Sequence, residues 1–388
     1  MSKDTPGKLL RDIYAGNIFG GVHYALVVYV ISSFVTAHSG EAAVSIVYSL
    51  IALISLVISL NFSNFISKIG HRKLTTLVII LMFGSLLVLT TAVSPLIANT
   101  LVIVYSVSQF LLYISFDIYV KELSKDGATG NIRGVYLTIY NLSFLAGPFL
   151  TGVLLGKDSN FTNVFLVSAL VLLPLFYFDN LVMRAVKDVR PKDHHVMDAI
   201  KIVRKSIDIR KIFISGCFLE FFYTWMTIYT PIYLHINIGF SWPDIGIIFT
   251  IMLLPFVLFQ IPLGMLADKY YGETEMLTAG FIIAGIATIG LYFITSKSIL
   301  VWALMLFLTR TGASCIEIMN DTYFFKKVPA RDTGVVALFR NARQINYLFA
   351  PLVALLILAI LPMQALFIVL GAAMFIGAYN ASNLHDTL

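Results

Sequence analysis

Eight ionisable side chains stand in stretches that are otherwise apolar: His23, Asp117, Glu220, Arg310, Glu317, Asp321, Arg340 and Arg343. Taking a charge to membrane depth is costly, so each is a functional candidate by default. The last six all lie in the second half of the chain. Arg310 and Glu317 are seven residues apart, and Glu317 and Asp321 four, which puts all three on one stripe of a helix. Arg340 and Arg343 share a face of the next helix. One reading is structural neutralisation, Asp321 with Arg340 and Glu317 with Arg343 or Arg310. The other is proton exchange and the binding of a charged ligand.

Glu220 stands out among the acids. At 1.5 Å per residue it lies about 14 Å in from Lys211, and it heads a polar face with Tyr223, Thr224 and Thr227. Burial there would let the carboxyl exchange a proton near neutral pH, as a coupling site requires. In the first half the polar positions are milder: Asn17, His23, Tyr24, Gln109, Tyr113 and Asn141. His23 is either a titratable partner or a histidine satisfied by a backbone carbonyl.

Other chemistries find no foothold. No phosphate-cradling loop is present, which argues against ATP-driven transport. Neither a metal-spaced His/Cys/Asp cluster nor a nucleophile elbow occurs, so no enzyme, cofactor or metal is expected. Cys217 and Cys315 read as small core residues.

The elements that must position these residues are membrane spans. Of 388 residues 59% are hydrophobic and 12% charged, with mean hydropathy +0.87. Apolar runs of about 20 residues recur along the chain, as spanning helices require. We read an all-α membrane protein of twelve transmembrane helices: 12–36, 42–66, 74–94, 98–120, 132–156, 162–182, 211–236, 244–267, 275–295, 298–325, 333–358 and 362–382. They form a six-helix bundle over 1–182, a central loop over 183–210 and a second six-helix bundle over 211–388. In the loop Val196, Ile200, Val203 and Ile207 recur at helical spacing, with Lys201, Arg204 and Lys205 on other faces. This predicts a basic amphipathic helix on the inner leaflet.

Orientation follows from lysine and arginine. Inner segments hold Lys3, Lys8, Arg11, Lys68, Arg72, Lys73, Lys121, Lys125, Arg133, Lys269, Lys326, Lys327, Arg331 and the central loop's cations, against Lys157 and Lys297 outside. Both termini are therefore expected in the cytoplasm, in the cell (inner) membrane. The net charge of +6 belongs to this asymmetry, not to nucleic-acid binding.

The two halves echo each other at an offset of about two hundred residues. Ser63 to Lys73 lines up with Gly264 to Glu273, Asp117-Ile118-Tyr119 with Asp321-Thr322-Tyr323, and Gly134-Val135 and Asn141 with Gly334-Val335 and Asn341. Six-plus-six spans, a long central loop and a G-x-x-x-D-[RK]-x-x-G type motif in both halves resemble the major facilitator superfamily, over essentially the whole chain. The second copy keeps Gly264, Asp268, Lys269 and Gly272. In the first, Ser63 and Ser67 replace Gly and Asp, while Gly70, Arg72 and Lys73 remain. Span five carries Ala146-Gly147-Pro148-Phe149-Leu150-Thr151-Gly152, which resembles the Gly-Pro motif of the superfamily's antiporters. The superfamily's drug antiporters usually carry an arginine in mid span four; here Tyr105-Ser106-Val107-Ser108-Gln109 has none, and Ser106 matches Arg310 in the repeat.

The resemblance implies two bundles related by a pseudo-two-fold, with alternating access to a midplane site. Proton-coupled efflux of an amphipathic or drug-like small molecule is the first expectation, from a monomer in the lipid bilayer. Uptake or exchange of an organic anion or sugar-like metabolite, with Arg310 and Arg343 as the anion's partners, is the second. A non-transporting sensor or assembly factor on the same scaffold is the third. Asp268 is expected to latch the cytoplasmic side against Arg133 and the start of span five, with Asp117, Asp321 and Arg340 at the same rim.

Overall fold

At membrane depth each backbone polar group must be satisfied within its own segment, which leaves helices as the means of crossing for a chain of this pattern. The computed structural model describes residues 6–61, 65, 68–91, 93–123, 129–185, 196–259, 262–263, 266, 272–328 and 333–385. Among them the regular structure is helical. Ten helices are long and apolar enough to cross a bilayer, and two shorter apolar ones, Leu142–Leu155 and Trp242–Leu258, bring the number to the expected twelve.

The first half runs α1 (Pro6–Val27), α2 (Ile31–Ser39), α3 (Glu41–Leu60), α4 (His71–Leu89), α5 (Pro95–Leu123), α6 (Thr129–Leu155) and α7 (Phe161–Ala185). Span one is thus two helices, parted by a turn in which the Val30 amide donates to the Val27 carbonyl at 3.0 Å. Next come α8 (Val196–Lys205), α9 (Ile207–Ile232), a π-helical turn (Tyr233–Ile238), α10 (Trp242–Leu258), α11 (Gly272–Tyr292), α12 (Ile299–Lys327), α13 (Thr333–Leu358) and α14 (Ala365–Ser382). The π turn follows Pro231, which takes one amide donor out of the ladder.

The central helix forms as its periodicity predicts, with Lys201, Arg204 and Lys205 exposed and Val203 buried. It stops sooner than expected. Ser206 adopts an extended backbone and its Oγ accepts from the Ile209 amide, capping α9. Ile207 consequently starts a new helix and is exposed, instead of completing the apolar stripe.

The chain divides into two compact units, Met1–Asp193 with Ser241–Gly246, and His194–Phe240 with Ile247–Leu388. In the first, α1 packs on α6 and α7, α4 on α5 and α7, and α3 on α5. In the second, α11 packs on α12 and α14, and α9 lies against α12, α13 and α14. One echo of the repeat is visible in backbone geometry. Gly70 (φ 87°) immediately precedes α4 and Gly272 (φ 71°) opens α11. Each motif copy ends in a left-handed turn into a helix, a conformation that favours glycine.

Candidate functional site

The second unit gathers four of the predicted charges around α9, α12 and α13. Arg310 on α12 is 2% exposed. Its guanidinium carbon lies 5.1 Å from the ring centre of Phe222 and 5.4 Å from that of Tyr223, both on α9. Its Nε and Nη1 have no hydrogen-bond acceptor among the described residues. Ring faces attract a cation electrostatically, more so away from water, but they leave its N–H groups unsatisfied. Two turns along α12, Glu317 Oε2 accepts from Tyr223 Oη at 2.7 Å. Tyr223 thus joins the two charges of the stripe, one through its ring and one through its hydroxyl.

Glu220 stands one turn before Tyr223 on α9, and the nearest of its oxygens is 3.9 Å from Arg343 Nε on α13. Their side chains are 25% and 48% exposed, so this pair forms the open side of the constellation. The Arg343 guanidinium lies 5.8 Å from the Tyr347 ring centre. Arg343, not Arg310, is therefore the base beside Glu220, and the backbone is braced nearby where Trp225 Nε1 donates to the Ala350 carbonyl at 2.8 Å. Burying one charge without a partner costs several kcal/mol, about 3–5 in soluble proteins.

In the first unit the polar residues lie apart from one another or in small clusters. His23 on α1 is fully buried. Its Nδ1 lies 3.0 Å from the Ser168 carbonyl and 2.8 Å from Ser168 Oγ, and its Nε2 lies 3.0 Å from Tyr105 Oη. Of the two sequence readings, the geometry has the satisfied histidine. Asn17 is buried on α1, and the Tyr24 ring lies 5.8 Å from that of Phe144. Gly147 has a packing reason of its own: a methyl added there would sit 2.2 Å from Ala25 Cβ. Pro148, one residue on, is buried within α6.

At the rims, Arg72 Nη2 donates to Asn180 Oδ1 at 3.2 Å, and Lys73 is exposed. Lys326 pairs with the buried Glu273, and Lys327 Nζ lies 3.2 Å from Asp208 Oδ2. Both lysines close α12, where cations complement the helix dipole. Gly264 and Asp268 lie outside the described residues, as do the side chains of Asp117, Arg133, Asn141 and Arg340. The Asp268 latch and the Asp321–Arg340 pair therefore fall there too, while Asp321 itself is half-buried on α12. The two cysteines are free; Cys315 is buried and its Sγ donates to the Met276 carbonyl at 3.2 Å.

Sequence reasoning missed two acids. Asp12 on α1 and Asp179 on α7 are 5% and 3% exposed. Asp179 lies inside the predicted span 162–182, so the rule that selected Glu220 selects it equally.

Twelve apolar helices in two units, with acids and bases held in their interiors, define a polytopic membrane protein of the transporter class. The sequence matches the family model described as Major Facilitator Superfamily over residues 13–347 and 231–382, and the chain belongs to that family. No curated protein sequence matches it. Solved structures share the fold at low identity. A POT family transporter in complex with 5-aminolevulinic acid is 14% identical, with TM-score 0.76 over 95% of this chain and 94% of that one. A POT family transporter in complex with a thioalcohol-conjugated peptide is also 14% identical, with TM-score 0.74 over 95% and 94%. A bacterial homolog of the human lysosomal transporter Spinster, inward-facing and unoccupied, is 12% identical, with TM-score 0.72 over 98% and 94%.

Proposed function

We propose that this protein is a proton-coupled secondary transporter of a small molecule bearing an anionic group, and that the anion is received by Arg310. One observation carries the reading: a guanidinium buried to 2% exposure whose Nε and Nη1 meet no acceptor among the described residues. A carboxylate supplies acceptors in the fork geometry that a guanidinium favours. Glu220 and Glu317 are the proton-exchanging groups beside it. The pair Glu220–Arg343, long at 3.9 Å and partly exposed, is weak enough to open and close with the protonation of its acid. Fold neighbours crystallised with a peptide conjugate and with 5-aminolevulinic acid carry ligands of compatible chemistry.

Efflux of an amphipathic or drug-like compound draws on Gly147-Pro148 and on the aromatic-rich, lightly charged first half, but the contact with Ala25 accounts for Gly147 without any antiport role. The retained interior charges speak against a non-transporting sensor.

The test is a melting-temperature screen of purified protein against short peptides, amino-acid-like carboxylates and uncharged amphipaths, followed by flux in proteoliposomes with and without a pH gradient. Carboxylates should stabilise the protein and Arg310→Gln should remove their effect. Stabilisation by the uncharged compounds alone would refute the reading.

A further inference from the structure

Asp179 is the buried acid for which neither the fold nor the second-unit constellation has a use. It sits on α7, three residues before Val182 ends its apolar span, and is 3% exposed. Its Oδ2 has no hydrogen-bond partner among the described residues. On α1 it faces Gly16, so closely that a methyl added to that glycine would lie 3.2 Å from Asp179 Oδ1. A leucine or asparagine would serve packing or hydrogen bonding better. A carboxyl kept dry, unpaired and against bare backbone is suited to carry a proton.

We propose that Asp179 is a proton-binding residue of the transport cycle, held in the first unit apart from Glu220 and Glu317. The inference rests on the proton-coupled reading above, but not on Arg310 or on the nature of the substrate. On release the proton passes to water, and the carboxylate left behind needs either solvent or a cation. Arg72, at the start of α4, donates to Asn180 Oδ1 at 3.2 Å, one residue along α7. Movement of Arg72 from Asn180 to Asp179 would compensate the new charge. It would also tie proton release to the loop carrying the first copy of the repeated motif.

Helices α1, α4 and α6 pack against α7, and Phe34 of α2 does so at the far end from Asp179. From α1 the titratable groups near this end are Asp12, 5% exposed with an oxygen 4.0 Å from Arg11 Nε, and Tyr14. From α4 they are His71, buried and stacked 4.2 Å from the Tyr119 ring, and Arg72. From α6 the described one is Tyr140, whose ring lies 6.2 Å from that of Phe144.

The experiment is infrared difference spectroscopy of the full chain in lipid, stepped from acid to alkaline pH, with aspartate carboxyls carbon-13 labelled. The wild type should show an isotope-shifted carbonyl band of a protonated acid that falls as pH rises. Asp179→Asn should lack that band, while Glu220→Gln and Glu317→Gln keep it. Asp179→Glu, which preserves an acid at the site, should keep a titrating band that no longer moves with the aspartate label. An unlabelled shift pattern in the wild type, or a labelled band that survives in Asp179→Glu, would overturn the proposal. Loss of carboxylate-induced stabilisation in Arg310→Gln reports on the substrate reading separately, so the two can fail independently.

Discussion

Tyr223 and Glu317 are joined across α9 and α12 by a hydrogen bond of 2.7 Å from phenol to carboxylate oxygen. The acid on Arg310's own stripe is thereby held by a tyrosine, and the arginine is left to ring faces. Such an arrangement keeps a cation inside the unit without neutralising it.

The tyrosine–glutamate bond should be measurable as a coupling. Tyr223→Phe and Glu317→Gln, singly and together, should give a double-mutant interaction of about 1 kcal/mol in thermal or denaturant unfolding. Additive effects would mean the two side chains do not act on each other.

Arg310 is expected to cost stability while serving function. Arg310→Met should leave the melting temperature unchanged or raise it, since a buried guanidinium whose Nε and Nη1 meet no acceptor among the described residues is replaced by an apolar chain of similar length. The same variant should lose all stabilisation by carboxylates. A marked drop in melting temperature would instead make Arg310 a structural residue.

The close approach of α6 and α1 predicts a rescue. Gly147→Ala should destabilise by about 1–3 kcal/mol, because its methyl collides with Ala25. Ala25→Gly in the same chain should restore only part of the loss, because the backbone carbon and Cα of residue 25 would still lie 2.9 and 3.0 Å from the added methyl. Gly84→Ala, where an added methyl meets nothing within 4 Å, serves as the control. Equal melting temperatures for the two alanine variants would contradict the packing.

Orientation can be settled by labelling. In a background with Cys217 and Cys315 replaced, a cysteine at Asp193 should stay unmodified by an impermeant reagent applied outside intact cells. Efficient modification would invert the topology inferred from lysine and arginine.

Much of this was legible in the residues because the bilayer simplifies the problem. Length and apolarity fix a spanning helix, and the expected twelve have counterparts in the structure. Ser206 shows where periodicity alone falls short. Val196 to Ile207 repeat at helical spacing, yet one hydroxyl accepting the Ile209 amide splits the run in two. Partner choice was harder still. Spacing along α12 places Arg310, Glu317 and Asp321 on one face. Whether an acid meets an arginine or a phenol depends on how α9 is rotated against them, and no one-dimensional pattern records that angle. Asp179 was hidden for a simpler reason: it stands near the end of its span, where an acid passes for part of the polar border.

Trp225 is tied by its indole N–H to the Ala350 carbonyl, a bond from α9 to α13. The chain has three tryptophans. Trp242 donates to Ser159 Oγ and Trp302 to the Ser296 carbonyl, so their indole N–H groups are committed elsewhere than the α9–α13 bond. Intrinsic fluorescence therefore comes with a built-in gauge. If α9 and α13 part when Glu220 is protonated, the emission of Trp225 shifts in wavelength and intensity, Trp225→Phe removes that share of the signal, and the wild-type chain reports its own motion without a dye.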